Sequence, residues 1–216
     1  MSMISVIVPA HNEEKLIERC LRSIERQQFR DFEIITVCNA CTDRTAEIAK
    51  RHSMVIELRE LGVSRSRNAG ARRAKGNILC FIDADSYMSR NLLMEVRHAV
   101  DKGSVGGTAM TFPDDNRLSS RLFWYAGNFL NIFFLLPHGF FFCRRDQYTP
   151  FDERLKVCED SSFLNRLKKK GKLKLIRRAY IRTSMRRFYE QGFIRPVLDI
   201  LTGFFFRKGQ RYRVVR

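Results

Sequence analysis

Apolar runs alternate with segments of helical periodicity over the first hundred residues. Unbroken or nearly unbroken apolar runs predict four strands, at Met3–Val8, Phe32–Val37, Met54–Leu58 and Asn77–Ile82. Apolar residues at three- and four-residue spacing predict four helices, around Glu13–Gln27, Asp43–His52, Ser64–Ala74 and Arg90–Val100. This alternation is typical of the α/β class, in which helices cover both faces of a mostly parallel sheet.

The pattern changes after residue 100. Ser104–Thr111 predicts a further strand, and a helical stretch begins at Glu159-Asp160. Between them, Leu122–Phe142 contains nine aromatic residues and no charged residue. Although about 20 apolar residues can span a membrane, Gly, Asn, Pro and His residues interrupt this run and argue against a simple span. Two interpretations stay open: packing in the core, or an aromatic helix that lies in a membrane interface.

Charge is distributed very unevenly along the 216 residues. The net charge is +17, but residues 1–160 contain 23 Lys/Arg and 21 Asp/Glu, whereas residues 161–216 contain 17 and 2. The basic character therefore belongs to the C-terminal quarter, where basic residues flank phenylalanine clusters such as Phe204–Phe206. Such a segment favours a polyanionic partner, and its apolar blocks favour an anionic membrane surface over nucleic acid.

Length and composition predict one folded domain with a tail. We assign residues 1–190 to the domain, with 1–100 and 101–190 as its two halves. Residues 191–216 are predicted to form a basic, aromatic tail at a membrane interface. Six scattered cysteines and the absence of a secretory signal pattern indicate a cytoplasmic protein, peripheral on the inner face of a membrane.

Three polar clusters follow the first, second and fourth predicted strands, at the point where each strand ends: residues 9–14 (PAHNEE), 38–43 (CNACTD) and 83–85 (DAD). Because ligands bind beyond the carboxyl ends of strands in open α/β sheets, we expect these clusters to form one site. Asp83 and Asp85 would repel each other at an apolar strand end, and a divalent cation with oxygen ligands, Mg²⁺ or Mn²⁺, would relieve this repulsion. Helix capping is the simpler alternative for Asn12 and Thr42.

Six motifs occur in a characteristic order: residues 6–13 (VIVPAHNE), 37–45 (VCNACTDRT), 67–70 (RNAG), 81–85 (FIDAD), 159–160 (ED) and 184–188 (SMRRF). On these motifs the chain resembles glycosyltransferases of family 2, inverting enzymes with the GT-A (Rossmann-like) fold, over roughly residues 3–190. Cys38 and Asn39 stand where the family often has acids. Asn39 can still hydrogen-bond a uracil-like edge, so UDP is the expected nucleotide and GDP the alternative.

The resemblance implies that residues 1–100 are a nucleotide-binding half and residues 101–190 an acceptor half, and it implies a role for each matching residue. The implied nucleotide contacts are Pro9, Ala10, Asn12, Glu13, Asn39, Asp43, Arg67, Asp83 and Ala84. Asp85, together with Asp83, would hold the cation that neutralises the leaving diphosphate. Asp160 would be the general base for a single displacement, supported by Glu159. His138, Arg186 and Arg187 are candidates for the acceptor or diphosphate side, and Arg67 could instead brace the Asp83 loop.

The implied partners are a nucleotide-sugar donor, a hydroxyl acceptor that is lipid-linked or presented at a membrane, and an anionic membrane surface, with no role for nucleic acid. Three other interpretations are weaker. A GT-A-like nucleotidyltransferase would open with a glycine-rich phosphate loop, which residues 8–12 lack. A nucleic-acid-binding protein would carry an RNA-binding signature, and none is found in the sequence. An inactive membrane-bound partner would have lost site carboxylates, whereas Asp83, Asp85 and Asp160 are present.

Overall fold

The computed structural model describes residues 3–135, 137–155 and 159–192. All four strands predicted in the first hundred residues are confirmed: β1 (Ile4–Ala10), β2 (Phe32–Asn39), β3 (Met54–Leu58) and β4 (Ile78–Ile82). The predicted helices are confirmed too, as α1 (Ile17–Glu25), α2 (Thr45–Ala49), α3 (Val63–Arg73) and α4 (Leu92–Asp101). The remaining elements are β5 (Ser86–Met88), β6 (Gly106–Pro113), α5 (Leu118–Phe134), β7 (Phe140–Arg144), α6 (Glu159–Lys168), β8 (Leu173–Thr183) and α7 (Arg186–Gln191).

Within the described residues, the strands form one eight-stranded sheet in the order β3-β2-β1-β4-β7-β6-β8-β5. The half that contains β1 to β4 is parallel, as predicted. Strand β7 enters antiparallel between β4 and β6, and β5 pairs antiparallel with β8 at the edge. The sheet is therefore mixed, with its parallel half formed by the first hundred residues.

Helices cover both faces of the sheet because the central strands are apolar on both faces. Helices α1 and α4 bury Ile17, Leu21 and Val96 against one face, which Val6 and Val8 line. Helices α3 and α6 bury their apolar side chains, such as those of Ala71 and Phe163, against the other face. The ladder between β1 and β2 aligns Ala10 with Cys38, so both strands end at the same edge of the sheet.

The aromatic run Leu122–Phe142 is divided between two elements with opposite environments. Strand β7 is core, because Phe140, Phe141 and Phe142 are at most 1% exposed. Helix α5 lies against β6 and leaves many of its apolar side chains exposed. Among the described helices, none combines the length and the apolar character needed to cross a membrane.

The C-terminal quarter adds a long strand to the sheet. Residues 173–183, where basic and apolar side chains are mixed, form β8, which the sequence analysis does not predict. Its ladder with β6 supports the edge of the sheet, with a register shift between Ala109 and Met110. Most of the predicted tail, residues 193–216, lies outside the described residues, so the membrane-interface prediction for it stays a prediction.

Candidate active site

The three polar clusters at the strand ends lie next to one another. The side chain of Asn12, after β1, accepts a hydrogen bond from the backbone of Thr42, after β2, at 2.8 Å. The backbone of Glu13 donates to Thr45 Oγ1 at 2.7 Å. The third cluster lies beside the first, because Arg186 pairs with Glu13 and lies 3.8 Å from Asp85 Oδ2. Burial, with a smaller contribution from Asp83, raises the pKa of the Glu13 carboxyl. The edge predicted from the strand order of the sequence is therefore one continuous surface.

The last residue of β2 presents an unpaired polar atom to the loop that follows the strand. Asn39 is only 5% exposed, and its Oδ1 is buried with no hydrogen-bond partner among the described residues. Its backbone carbonyl is engaged by His11 Nδ1 at 2.6 Å, and the following Ala40 has a left-handed φ of 49°. A buried amide oxygen without a partner costs free energy, so it is a natural place for a ligand N–H.

Asp43 has a structural role in the same loop. Its carboxylate accepts hydrogen bonds from the backbone and hydroxyl of Thr45, at 3.0 and 2.5 Å, and from the backbone of Glu14 at 3.1 Å. Burial opposes ionisation, but these hydrogen bonds outweigh it and lower the pKa of Asp43. Asp43 thus fixes the loop, whether or not it also touches a ligand.

Arg67 joins the Asp83 loop to the start of α6. Its guanidinium lies 3.1 Å from Asp83 Oδ1 and 2.9 Å from Glu159 Oε1, and its side chain is 4% exposed. The guanidinium also lies near the faces of the Phe141 and Phe151 rings, with 5.1 Å to the nearer centroid. Burial alone would lower the pKa of Arg67, but the surrounding carboxylates raise it above its usual value. These contacts support the bracing role for Arg67.

A second arginine closes the cluster from the C-terminal side. Arg186, in α7, forms an ion pair with Glu13 and lies 3.8 Å from Asp85 Oδ2. Burial, followed by Asp83 and Glu13, raises the pKa of Asp85 to about 7. The backbone of Ser184 donates to the Asp85 carbonyl at 3.2 Å and thereby holds α7 beside the Asp83–Asp85 loop. Arg187 follows in α7 and is half-buried.

Asp160, the predicted general base, lies in a buried environment next to a second carboxyl group. It occupies the first turn of α6, and its Oδ1 accepts the backbone N–H of Ser161 at 2.7 Å. Burial, and next the neighbouring Glu159, raise the pKa of Asp160 to about 7, whereas Arg67 opposes the shift. Paired carboxyl groups of this kind are typical of functional sites.

His138 lies directly before β7, beside the carboxylate cluster. Its neighbour Gly139 accepts the backbone N–H of Asp83 at 3.0 Å, and the His138 ring meets the Trp124 ring edge-on at 5.2 Å. Burial lowers the pKa of His138 to about 4, so the ring is neutral at physiological pH. Its Nε2 is buried without a partner among the described residues.

Pro9, Ala10 and Ala84 contribute backbone rather than chemistry to this edge. Pro9 and Ala10 are the last two residues of β1, and Ala84 is 4% exposed between the two aspartates. The predicted site residues therefore lie along one edge of the sheet, in α3 (Arg67), or at the starts of α6 and α7. Their placement is compatible with one ligand site, although their individual roles stay predictions.

The sequence analysis missed two residues that shape the site. The Asn68 amide donates to the Phe151 carbonyl and Glu153 and accepts from the Phe151 backbone and Tyr148, all at 2.8–3.0 Å. It holds the chain segment that leads to α6. Trp124 packs on His138. Asn68 belongs to the quoted RNAG motif, but its partners are 80 to 85 positions away, so no local signal identifies the interaction.

The carboxylates of Asp83, Asp85 and Glu13 are the side chains at this edge that could bind a divalent cation. Asp83 and Asp85 supply hard carboxylate oxygens, and Glu13 Oε2 is buried without a partner among the described residues. No group of three or more His, Cys, Asp or Glu residues within the described ranges forms a complete metal site by itself. A cation that also takes phosphate oxygens needs only one or two protein carboxylates, so the residues fit such an ion.

Comparison with known proteins gives a consistent family. The family model described as Glycosyl transferase family 2 matches residues 5–152. Over 109 residues the chain is 33% identical to the uncharacterized glycosyltransferase EpsJ of Bacillus subtilis. The aligned region covers 48% of this chain and 32% of EpsJ. It is 31% identical over 111 residues to the poly(ribitol-phosphate) beta-N-acetylglucosaminyltransferase TarS of Staphylococcus aureus, covering 47% of this chain and 19% of TarS. The matches thus span no more than a third of either relative.

Solved structures share the fold. TarS 1–349 in complex with UDP-GlcNAc superposes with a TM-score of 0.68 and 22% identity, over 84% of this chain and 58% of that one. The mannosyltransferase PcManGT of Pyrobaculum calidifontis, in complex with GDP-Man and Mn²⁺, gives a TM-score of 0.75 and 20% identity, over 98% and 66%. At these identities the likeness establishes the GT-A type of fold.

Proposed function

Because the chain belongs to glycosyltransferase family 2, we propose that it moves a sugar from a nucleotide-sugar donor to a hydroxyl acceptor with inversion at the anomeric carbon. One observation carries this proposal: Arg67 ties Asp83, at the donor side, to the Glu159-Asp160 pair, where Asp160 has a pKa near 7. A leaving-group site and a base are thereby held in one rigid cluster. Inversion by single displacement requires both groups and no covalent intermediate.

The donor nucleoside binds at the loop after β2 in this proposal. Asn39 Oδ1, buried and unpaired, would accept the N–H of a uracil ring, and its amide could donate to a ring carbonyl. Pro9, Ala10, Asn12 and Glu13 would line the nucleoside from β1, with Asp43 fixing the loop. Asp83 and Ala84 would lie beside the ribose. UDP is the first nucleotide to test and GDP the second, and neighbouring folds bind one of each.

The leaving diphosphate meets groups of both charges. Asp85, with Asp83, would hold Mg²⁺ or Mn²⁺, which when bound neutralises charge on the departing phosphate oxygens. Arg186 already contacts Glu13 and Asp85 and is close enough to the cluster to bind a phosphate oxygen after a small rearrangement. Arg187 would add positive charge from the same helix. Arg67 stays with its carboxylates, because it is buried and doubly paired.

The acceptor is activated from the opposite side of the cluster. Asp160, as a carboxylate, would take the proton of the acceptor hydroxyl while that oxygen forms its bond to the anomeric carbon and the bond to the diphosphate breaks. A pKa near 7 makes the carboxylate a stronger base than an ordinary aspartate while leaving much of it ionised at neutral pH. Glu159, held by Arg67, supports that basicity, and the neutral His138 offers Nε2 to the acceptor.

We assign the acceptor to the lipid-linked or membrane-presented class. The support is positional, since α5, in the predicted acceptor half, exposes many apolar side chains while its Trp124 contacts His138. Transfer to a lipid-linked hydroxyl in vesicles, compared with a water-soluble analogue of the same hydroxyl, tests this assignment. Equal rates on both acceptors would refute it.

Calorimetric titration of UDP tests the donor site. We expect Mn²⁺-dependent binding that is lost in Asp85→Ala and kept in Asp101→Ala, which removes an exposed aspartate paired with Arg97 at the far end of α4. Binding of GDP but not UDP would keep the enzyme class and change the donor. If no nucleotide binds in the presence of Mg²⁺ or Mn²⁺, the transferase proposal fails.

A further inference from the structure

Helix α5 places hydrogen-bonding side chains against the sheet and turns most of its apolar side chains outward. The side that faces the sheet carries Ser120, Trp124, Asn128 and Asn131, each at most 4% exposed. The Asn128 amide accepts from the Thr111 backbone at 3.0 Å and donates back to its carbonyl at 2.6 Å, and Asn131 Nδ2 reaches the Ala109 carbonyl at 3.5 Å. Hydrogen bonds to β6, rather than apolar packing alone, therefore attach this helix to the domain.

The outward side of α5 is an apolar stripe. Five members recur every three to four residues, at Leu118, Leu122, Tyr125, Phe129 and Ile132, and Leu130 and Phe133 widen the stripe at its C-terminal end. All seven are 41–69% exposed. Eleven large hydrophobic side chains are exposed among the described residues, and seven of them are on this one helix. Single exposed hydrophobics are normal in proteins, but a contiguous stripe marks an interaction surface. Helices of soluble domains place such a stripe against the core.

The charge around the stripe selects its partner. Helix α5 contains Arg121 and no acidic residue, and Arg117 precedes it. Helix α7, which packs on α5 through Phe188 and Phe123 at 4.7 Å between ring centroids, adds Arg187, whereas its Arg186 is paired with Glu13 in the site. Of the nearby acids, Asp114 pairs with Arg19 and Asp115 accepts hydrogen bonds from Ser120 and Tyr189, while the exposed Glu190 of α7 offsets one arginine charge. The rim of the stripe is therefore net cationic.

We infer that the exposed stripe of α5 docks on the surface of a bilayer that contains anionic lipid. Acyl chains cover the apolar side chains, phenylalanine and tyrosine suit the interfacial region, and anionic headgroups match the arginines. A second copy of the chain would satisfy the apolar stripe but would bring two cationic rims together in a symmetric contact, which is unfavourable. The lipid surface satisfies both features at once.

This inference rests on the proposed function and gives it a geometry. Trp124 donates its indole N–H to Met185 Sδ at 3.1 Å and touches His138, so one helix separates the docking stripe from the carboxylate cluster. An acceptor whose lipid part remains in the bilayer would present its hydroxyl beside His138 without leaving the membrane. The same helix thereby positions the protein on the membrane and lines the acceptor side of the site.

The test measures binding of the full chain to vesicles of phosphatidylglycerol and phosphatidylcholine by co-sedimentation. We expect Phe129→Glu to lower vesicle partitioning at least tenfold. The matched control, Leu61→Glu, introduces the same charge at a leucine that is 59% exposed before α3 and should change partitioning less than twofold.

Three results would overturn the inference. The first is vesicle binding by Phe129→Glu equal to that of the unmodified chain, which would transfer the role to other residues. The second is no vesicle binding by the unmodified chain. The third is a stable dimer that Phe129→Glu dissociates, which would make a second copy the partner. Calorimetric UDP binding by the same variant separates docking from donor binding, because it should be unchanged when docking is lost.

Discussion

Replacement of Arg67 by Met tests whether the buried ion-pair cluster holds the site together. The guanidinium is the common partner of Asp83 and Glu159, and removing it leaves two carboxylates facing a gap filled by an apolar chain. Loss of one partner of a buried pair typically costs about 3–5 kcal/mol. Asp83 is 42% exposed and can be rehydrated, whereas Glu159 is only 12% exposed. We therefore expect the free energy of unfolding to fall by about 3 kcal/mol, the low end of that range.

The loss should depend on pH in a defined direction. Burial, and next Glu159, raise the pKa of Asp160, and Arg67 opposes this shift, so that the pKa is about 7; the variant should raise that pKa further. An unfolded aspartate titrates near about pH 4, and the folded variant therefore binds more protons than the unfolded chain between these values. Stability of the variant is then highest at low pH and falls as pH rises through the folded pKa.

The assay is urea unfolding of both proteins at about pH 8 and about pH 5, where linkage predicts a smaller deficit at the lower pH. Arg65→Met is the matched control. Arg65 lies in the same helix and also contacts two carboxylates, Glu60 and Glu153, but it is 38% exposed. Its replacement should cost far less at either pH. A deficit for Arg67→Met that equals the control, or that grows on acidification, would refute the reasoning.

Two further predictions concern Asp160 and the orientation of α5. Asp160→Asn should lower kcat by about 10²–10⁴-fold while calorimetric UDP binding is unchanged; in the unmodified enzyme, kcat should rise with pH and level off above about 7, following the Asp160 carboxyl. A variant that keeps more than about a tenth of the rate would exclude Asp160 as the base. Asn128→Ala leaves the Thr111 N–H and C=O unpaired in the interior, at about 1–3 kcal/mol for each group, whereas Phe129→Ala, on the exposed side of α5, should leave urea unfolding nearly unchanged. Equal losses for the two variants would contradict the reversed orientation.

Local pattern was sufficient for the parallel half of the fold. The apolar runs that predict β1 and β4 are buried on both faces, and a segment can satisfy that environment only if its own side chains are nearly all apolar. Because parallel strands end at a common edge, the order of elements also placed the clusters after β1, β2 and β4 together. The motifs added the expected identity of that edge as a nucleotide-sugar site.

Pattern was insufficient where the environment depends on distant neighbours. Leu122–Phe142 reads as one aromatic run, yet β7 is buried because it inserts between β4 and β6, and α5 is exposed because β6 offers it carbonyl and N–H partners. The residues of this run do not indicate which half is buried and which is exposed. The alternation of basic and apolar residues in β8 gave a similarly ambiguous signal.

The sequence by itself determined the strands, the helices between them and the types of chemical group at the sheet edge, because each of these depends on residues adjacent in the chain. Only the tertiary structure decided the pairs: Arg67 with Asp83 and Glu159, which are 16 and 92 positions away, and Arg186 with Glu13, 173 positions away. It also decided that α5 turns its apolar side outward. The physical reason is that ion pairs and burial depend on distances in space, which the order of strands in the sheet sets.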